Sequence, residues 1–470
     1  MPASTVPIPN LFRDRMSCLL GGDYPAFVAA LDGAPRRGLR VNTLKLPVEA
    51  FRCLSPFPLG EGVPWCPQAF HLEADGTEPG KHPFHAAGLY YLQDPSAMSA
   101  AALLGPEPGE RILDLAAAPG GKTTHLASLM QGRGLLVANE IKTSRLSPLV
   151  VNIERWGAPN VVAINETPER LADKFGAAFD RVLVDAPCSG EGTFCRDRAA
   201  RRDWSLQAVA DYAAKQITIL RIAAQLVRPG GSLLYSTCTF APEEDEGTIA
   251  AFLHVRPDFE VVPLTQLPGF LPGQPEWLPT KDAMDTLIQT TGGAVRLLPH
   301  RVRGDGHFVC RLRRGDGPAD DRSAPLTPVP LPPGLEATWR AFRGESLAVD
   351  FPGERLHLQG ARLYLLPEAG LDLRGLRVAV PGVWLGTFKK ERFEPAHALA
   401  LTLRRDEARC TLDLPAEGRD AASYLRGETL ASDGAPGWTL VCADGFPLGW
   451  GKRVRGRLKN HYPRGWVVGS

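Results

Sequence analysis

A chain of 470 residues exceeds what one hydrophobic core organises, and length alone suggests about three domains. Hydrophobic residues make up 44% and charged residues 22%, and no apolar run approaches the roughly 20 residues of a membrane-crossing helix. The net charge of +1 singles out no polyanionic partner, and the nine cysteines form neither a CxxC pair nor a Cys/His cluster, which argues against a disulfide framework or a metal site. The start, MPASTVPIPNLFRDRMSCLL, lacks the layout of a secretory signal, so a cytoplasmic monomer is expected.

Residues 1–92 are Pro-rich, with short apolar stretches such as LRVNTLKL (Leu39 to Leu46). Residues 93–314 alternate strand-like runs with helical patterns: Arg111 to Ala117, Gly134 to Glu140, Asn160 to Asn165, Asp180 to Ala186 and Gly231 to Cys238. Runs this short and apolar, joined by helices such as Ser205 to Val227, imply an α/β, Rossmann-like parallel sheet covered on both faces. Pro, Gly and Asp mark 315–334 as a linker. Two smaller units follow, 335–400 and 401–470, built of short strands with turn signals.

In such sheets ligands sit beyond the carboxyl ends of the strands, and each informative motif lies there. The first strand runs into Ala116, Ala117, Ala118, Pro119, Gly120, Gly121 and Lys122, where Gly120 and Gly121 permit a tight turn onto a helix amino end. The second strand ends in Glu140, suited to accept hydrogen bonds from ribose hydroxyls. A P-loop would need glycine at position 116, where this chain has Ala116, and the GxGxxG of a dinucleotide site is absent. A compact Gly-Gly turn without a diphosphate cradle suits S-adenosyl-L-methionine.

DAPCSGEGT (Asp185 to Thr193) follows the fourth strand and STCT (Ser236 to Thr239) the fifth, so Cys188 and Cys238 should meet at one rim. A single cysteine there is usually packing; two facing a cofactor turn point to chemistry. Carbon 5 of cytosine is a poor nucleophile until a thiolate adds to carbon 6, and Asp185 is placed to hydrogen-bond the N3/N4 edge. An exocyclic-amine methylase needs no thiol, and typically carries Asp/Asn-Pro-Pro-aromatic where this chain reads Asp185-Ala186-Pro187-Cys188. A catalytically silent RNA-binding factor would not need the intact pair. The spacing alone leaves open which cysteine attacks.

DLAAAPGGKT, DAPCSGEGT and YSTCTFAPEEDEG, with LRVNTLK and YYLQDPSAM, closely resemble the Nop/Sun family of RNA 5-methylcytosine methyltransferases. The tail DGFPLGWGKRVRGRLKNHYPRG resembles the PUA-like RNA-binding domain of its bacterial RsmF branch, which acts on small-subunit (16S) rRNA. The resemblance implies an N-terminal RNA-recognition domain, a catalytic domain, and a PUA-like end at 401–470, with rRNA or the assembled small subunit as partner. It further implies that Cys238 attacks and Cys188 assists release. Cofactor contacts carry over to Ala116 through Lys122, Glu140, Arg145, Asn165 and Asp185. Asn165 stands where the family is commonly acidic, so Glu166 is the alternative adenine contact. Cys195 stands where a basic residue is usual, with Arg196 beside it.

Two basic clusters are candidate RNA contacts. Read as one strand, Gly451 to Lys459 puts Arg453, Arg455, Arg457 and Lys459 on one face, flanked by Trp450, His461 and Tyr462. Arg196, Arg198, Arg201 and Arg202 follow the fourth-strand motif and could grip phosphates near a flipped base.

Overall fold

The computed structural model describes residues 6–73, 76–279, 284–390 and 392–467. The five expected runs form parallel strands: β1 (Arg111–Asp114), β2 (Leu135–Asn139), β3 (Val161–Ile164), β4 (Phe179–Asp185) and β5 (Val227–Thr237). A sixth, β6 (His307–Arg314), lies antiparallel on β5 with Phe308 opposite Thr237. The order β6-β5-β4-β1-β2-β3 reverses beside β1, so a crevice opens beyond the carboxyl ends of β1 and β4.

The side-chain period of two explains why these strands read as continuous apolar runs. Ile112, Leu136, Ala138, Leu183 and Leu234 point to one face, packed with Leu126, Leu149 and Ile153 of the helices Gly121–Leu129 and Thr143–Trp156. Leu113, Val137, Val182, Val184 and Leu233 point to the other, against Leu220 and Ala223 of Leu206–Leu226 and Ile249 and Phe252 of Glu246–Val255. Both faces are dry, as a doubly covered parallel sheet requires.

Residues 37–41 form the middle strand of the amino-terminal sheet, between Cys66–Leu72 and Tyr90–Gln93. The segment 315–334, expected as a linker, is pinned along the catalytic unit: Ala177 N donates to Asp320 O and Arg322 N to Phe175 O. The chain then returns to the catalytic sheet, where β7 (Val378–Val380) pairs antiparallel with β3.

The carboxy-terminal basic run is not one strand. Arg455 and Gly456 both take positive φ (49° and 72°) and make a two-residue turn between Phe446–Val454 and Arg457–Asn460. The hairpin sets Lys452 opposite Lys459 and Arg453 opposite Leu458, so the four expected cations do not share a face. Arg453 is buried, its Nε donating to Ser432 Oγ at 3.0 Å. Trp450 and Tyr462 are core residues as well: Trp450 Nε1 donates to Ala396 O, and Tyr462 packs edge-on against His397 and Tyr424. Strict alternation failed as a guide here because a residue other than glycine occupies the first turn position.

Candidate active site

Strand β1 ends at Asp114, and the chain turns at Gly120 (φ +109°), where a side chain would be strained, into the helix Gly121–Leu129. Thr123 Oγ1 donates to Asp114 Oδ2 at 2.7 Å, and burial pushes the Asp114 carboxyl up to about 7. Arg40 supports the turn from behind. Its fully buried guanidinium stacks 4.8 Å from the Trp156 ring centroid and donates to Gly121 O (2.9 Å) and Thr124 Oγ1 (2.8 Å). Asn42 Nδ2 donates to Gly88 O and Trp156 O, and Lys45 Nζ to Ala87 O and Arg155 O. The LRVNTLK motif thus clamps the amino-terminal domain to the cofactor turn. Its sequence marked it as special, but that role required the fold.

Beside the turn, Glu140 is 2% exposed. One carboxylate oxygen, Oε1, accepts from Lys142 N at 2.8 Å; the other, Oε2, has only the Arg145 guanidinium at 3.5 Å and no hydrogen bond. An unsatisfied buried carboxylate oxygen beside a glycine turn fits a ribose hydroxyl donor. Arg145 also donates to Ala118 O (2.6 Å), tying that acid to the turn. Asn165 spends its amide on the carbonyls of Glu140 and Ile141 and accepts from Thr143 Oγ1, leaving only spare capacity on Oδ1. The Glu166 carboxylate accepts from Arg377 N and pairs with the Arg170 and Arg377 guanidinium groups, facing the segment that leads into β7. A cavity of about 220 Å³ lies against this turn, lined by Ala116 to Pro119, Gly121, Lys122, Gln93, Asp94, Asp185 and Arg196. These residues fit S-adenosylmethionine.

Asp185 ends β4 directly beside Ser236 of β5. Lys122 Nζ lies 2.7 Å from its Oδ2, and Ser236 Oγ donates to Oδ1 at 2.9 Å. Burial raises the Asp185 carboxyl, but Lys122, His307 and Ser236 together outweigh it and hold the group below the usual carboxylate range. Cys188 and Cys238 meet as the topology requires, with their sulfurs 3.3 Å apart. The hydrogen bond to Cys238 and burial push the Cys188 thiol well above its ordinary value, so Cys188 keeps its proton.

The loops that carry the sulfurs are braced by the remaining motif residues. Gly192 N donates to Cys238 O at 2.8 Å, and a Cβ at Gly192 would stand 2.9 Å from that same oxygen, so only glycine allows the approach. Glu191 accepts from Trp204 Nε1 and Phe240 N, stapling one loop to the other. In PEEDEG, Glu244 accepts from Ser189 N and Gln216, Asp245 accepts from Thr237 Oγ1, and both Asp245 and Glu246 pair with buried Arg296. This acidic run is scaffold for the cysteine loops.

The arginine cluster after β4 divides. Arg201 spends its guanidinium on Phe194 O and Val6 O, and exposed Arg202 pairs with Asp203. Arg196 pairs with Asp305 at 2.9 Å, and Cys195 donates to the same carboxylate. Arg198 is exposed and lines, with Arg13 and Arg196, a cleft of about 570 Å³ that adjoins the cofactor-side cavity through Arg196.

Four family models tile the chain: the 16S rRNA methyltransferase RsmB/F over 101–313, the N-terminal domain of 16S rRNA methyltransferase RsmF over 8–95, the RsmF first C-terminal domain over 341–403, and the methyltransferase RsmF PUA domain over 411–468. The chain belongs to the RsmF branch of the Nop/Sun family. It is therefore an S-adenosylmethionine-dependent rRNA methyltransferase. It is 34% identical to ribosomal RNA small subunit methyltransferase F of Klebsiella pneumoniae, across 99% of this chain and 97% of that one. The counterpart from Vibrio vulnificus is 31% identical, across 98% of each. A methyltransferase homolog from Pyrococcus horikoshii shares the fold with a TM-score of 0.57 at 30% identity, covering 66% of this chain and 96% of that one. The chain has no helix, among the described residues, long and apolar enough to cross a membrane, and no metal-ligating cluster among them.

Proposed function

We propose that this RsmF-family chain methylates carbon 5 of cytosine in 16S rRNA, with Cys238 as nucleophile and Cys188 as the group that assists release. The single observation that carries the reading is the pair of thiols 3.3 Å apart beside Asp185 and the cofactor turn. Transfer to an amine or a ribose hydroxyl gives such a pair nothing to do.

Glu140, Arg145 and the turn from Ala116 to Lys122 would hold S-adenosylmethionine, with spare capacity on Asn165 Oδ1 for its adenine. When bound, it supplies an electrophilic methyl group. Cys238 as thiolate adds to carbon 6; the displaced π pair moves to carbon 5, which becomes nucleophilic enough to take the methyl. Asp185 receives the N3/N4 edge of the ring and orients it. Solvent water takes the carbon 5 proton, the double bond re-forms, and the carbon 6–sulfur bond breaks with its electron pair returning to Cys238. Cys188, still protonated, donates to the departing Cys238 sulfur and stabilises its negative charge. Incubation with methyl-labelled cofactor and small-subunit rRNA, followed by nucleoside analysis, should place the label in 5-methylcytidine. Label in any other nucleoside would defeat the reading.

RNA docking falls to cations at the carboxy-terminal hairpin, exposed Lys459 and half-buried Lys452 among them, not to Arg453. Lys452 and Lys459 are cross-strand neighbours; Lys452 lies over Trp438, whose ring also meets exposed His461. Aromatic faces beside cations suit unpaired RNA. Lys452→Ala with Lys459→Ala should weaken RNA binding and flatten its salt slope by about two units, one per phosphate contact. The rate at saturating RNA should hold, since the cysteine loops are untouched. An unchanged slope would make these lysines a solvated surface only.

A further inference from the structure

His307 has no role in the reaction as derived so far, and its surroundings set it apart from a packing residue. It opens β6, and continuing the Phe308–Thr237 register by one residue puts it opposite Cys238. The side chain is 3% exposed. Nδ1 lies 3.1 Å from Gly306 O, which can only accept, so Nδ1 carries the hydrogen and Nε2 bears a bare lone pair. That lone pair has no hydrogen-bond partner and stands 3.8 Å from Asp185 Oδ1. Other buried histidines, His125 and His397 among them, also have a ring nitrogen without a partner; what distinguishes His307 is that its nitrogen faces Asp185.

Two acceptors facing each other with no donor between them are mutually unfavourable. A proton or a donor group with two hydrogens would relieve the contact. Burial, with the Lys122 charge nearby, pushes the imidazole down to about 4, so protonation does not relieve it at neutral pH. The charged groups that bear on the ring are Lys122, Asp185 and Arg196.

We propose that His307 is a specificity-determining residue: its Nε2 and Asp185 Oδ1 form an acceptor pair that takes the two hydrogens of a pyrimidine 4-amino group, admitting cytosine and refusing uracil. The inference rests on the cytosine reading above and deepens it. With the two acceptors 3.8 Å apart, one nitrogen can sit about 3 Å from both, within ordinary hydrogen-bond reach. Uracil would bring its 4-oxygen, a third acceptor, to the same place. Sites built to bond a substrate N–H reject analogues that lack it, because their own buried groups are left unpaired.

The test uses the full-length protein and small-subunit rRNA carrying either cytidine or 2-pyrimidinone riboside, the same ring without the 4-amino group, at the position the wild-type protein methylates. His307→Phe should lower kcat/KM for methyl transfer to cytidine about tenfold and leave that for the pyrimidinone within about twofold. His307→Gln, with an amide oxygen near the Nε2 position, should recover most of the loss. The ratio between the two RNAs does not depend on how much protein is folded. Equal losses on both RNAs, or no loss on cytidine, would overturn the proposal. Wild-type protein that puts no methyl on cytosine would overturn the reading beneath it, and that outcome is visible before any variant is made.

Discussion

Replacing Cys238 with alanine is expected to lower methyl transfer by more than about three orders of magnitude, because the covalent route is lost with its nucleophile. No protein–RNA adduct should survive on denaturing gels. Cys188→Ala is expected to behave in the opposite way. Attack by Cys238 remains possible, but the departing sulfur loses the thiol that hydrogen-bonds to it at 3.3 Å, so the adduct should accumulate. Both side chains are small and sit on loops braced by Gly192, Glu191 and Glu244, so neither change should disturb the fold. Adduct from Cys238→Ala and none from Cys188→Ala would exchange the two roles.

Lys122→Met is expected to lower turnover by about a hundredfold, because Asp185, which orients the ring, is no longer held ionised by its partner. The sign of its pH dependence follows from the Asp185 environment. Burial raises that carboxyl, and Lys122 at 2.7 Å leads the groups that hold it low, with His307 and Ser236 behind it. With the ammonium gone the carboxyl rises, and its ionised form is reached only at higher pH. Residual activity of the variant should therefore climb with pH over an interval where the wild-type rate is flat. Single-turnover rates across that interval check it; parallel profiles would mean that Lys122 does not set the state of Asp185.

The catalytic sheet was legible because each strand is buried on both faces, so its apolar run and its terminal motif coincide. Asp185, Cys188 and Cys238 could be placed together from strand order alone. What stayed hidden depends on contacts between distant segments. Arg40 sits 81 residues before the glycine whose carbonyl it holds, and His307 is a lone histidine whose meaning lies in Asp185, on another strand. Asp114 was passed over as the end of an apolar run, although a carboxylate closing a buried strand was a visible signal. The basic tail misled for a local reason: Arg455 adopts the left-handed backbone that glycine or asparagine ordinarily marks, so the hairpin carried no turn signature at its first position.

The central claim, that methylation occurs at carbon 5 of cytosine through addition at carbon 6, is tested most directly with rRNA tritiated at carbon 5 of its cytosines. Transfer there must expel the hydrogen it replaces. Wild-type protein should release one tritium to water for each methyl group incorporated, and Cys238→Ala should release none. Methyl incorporation with the tritium retained on the RNA would contradict the account.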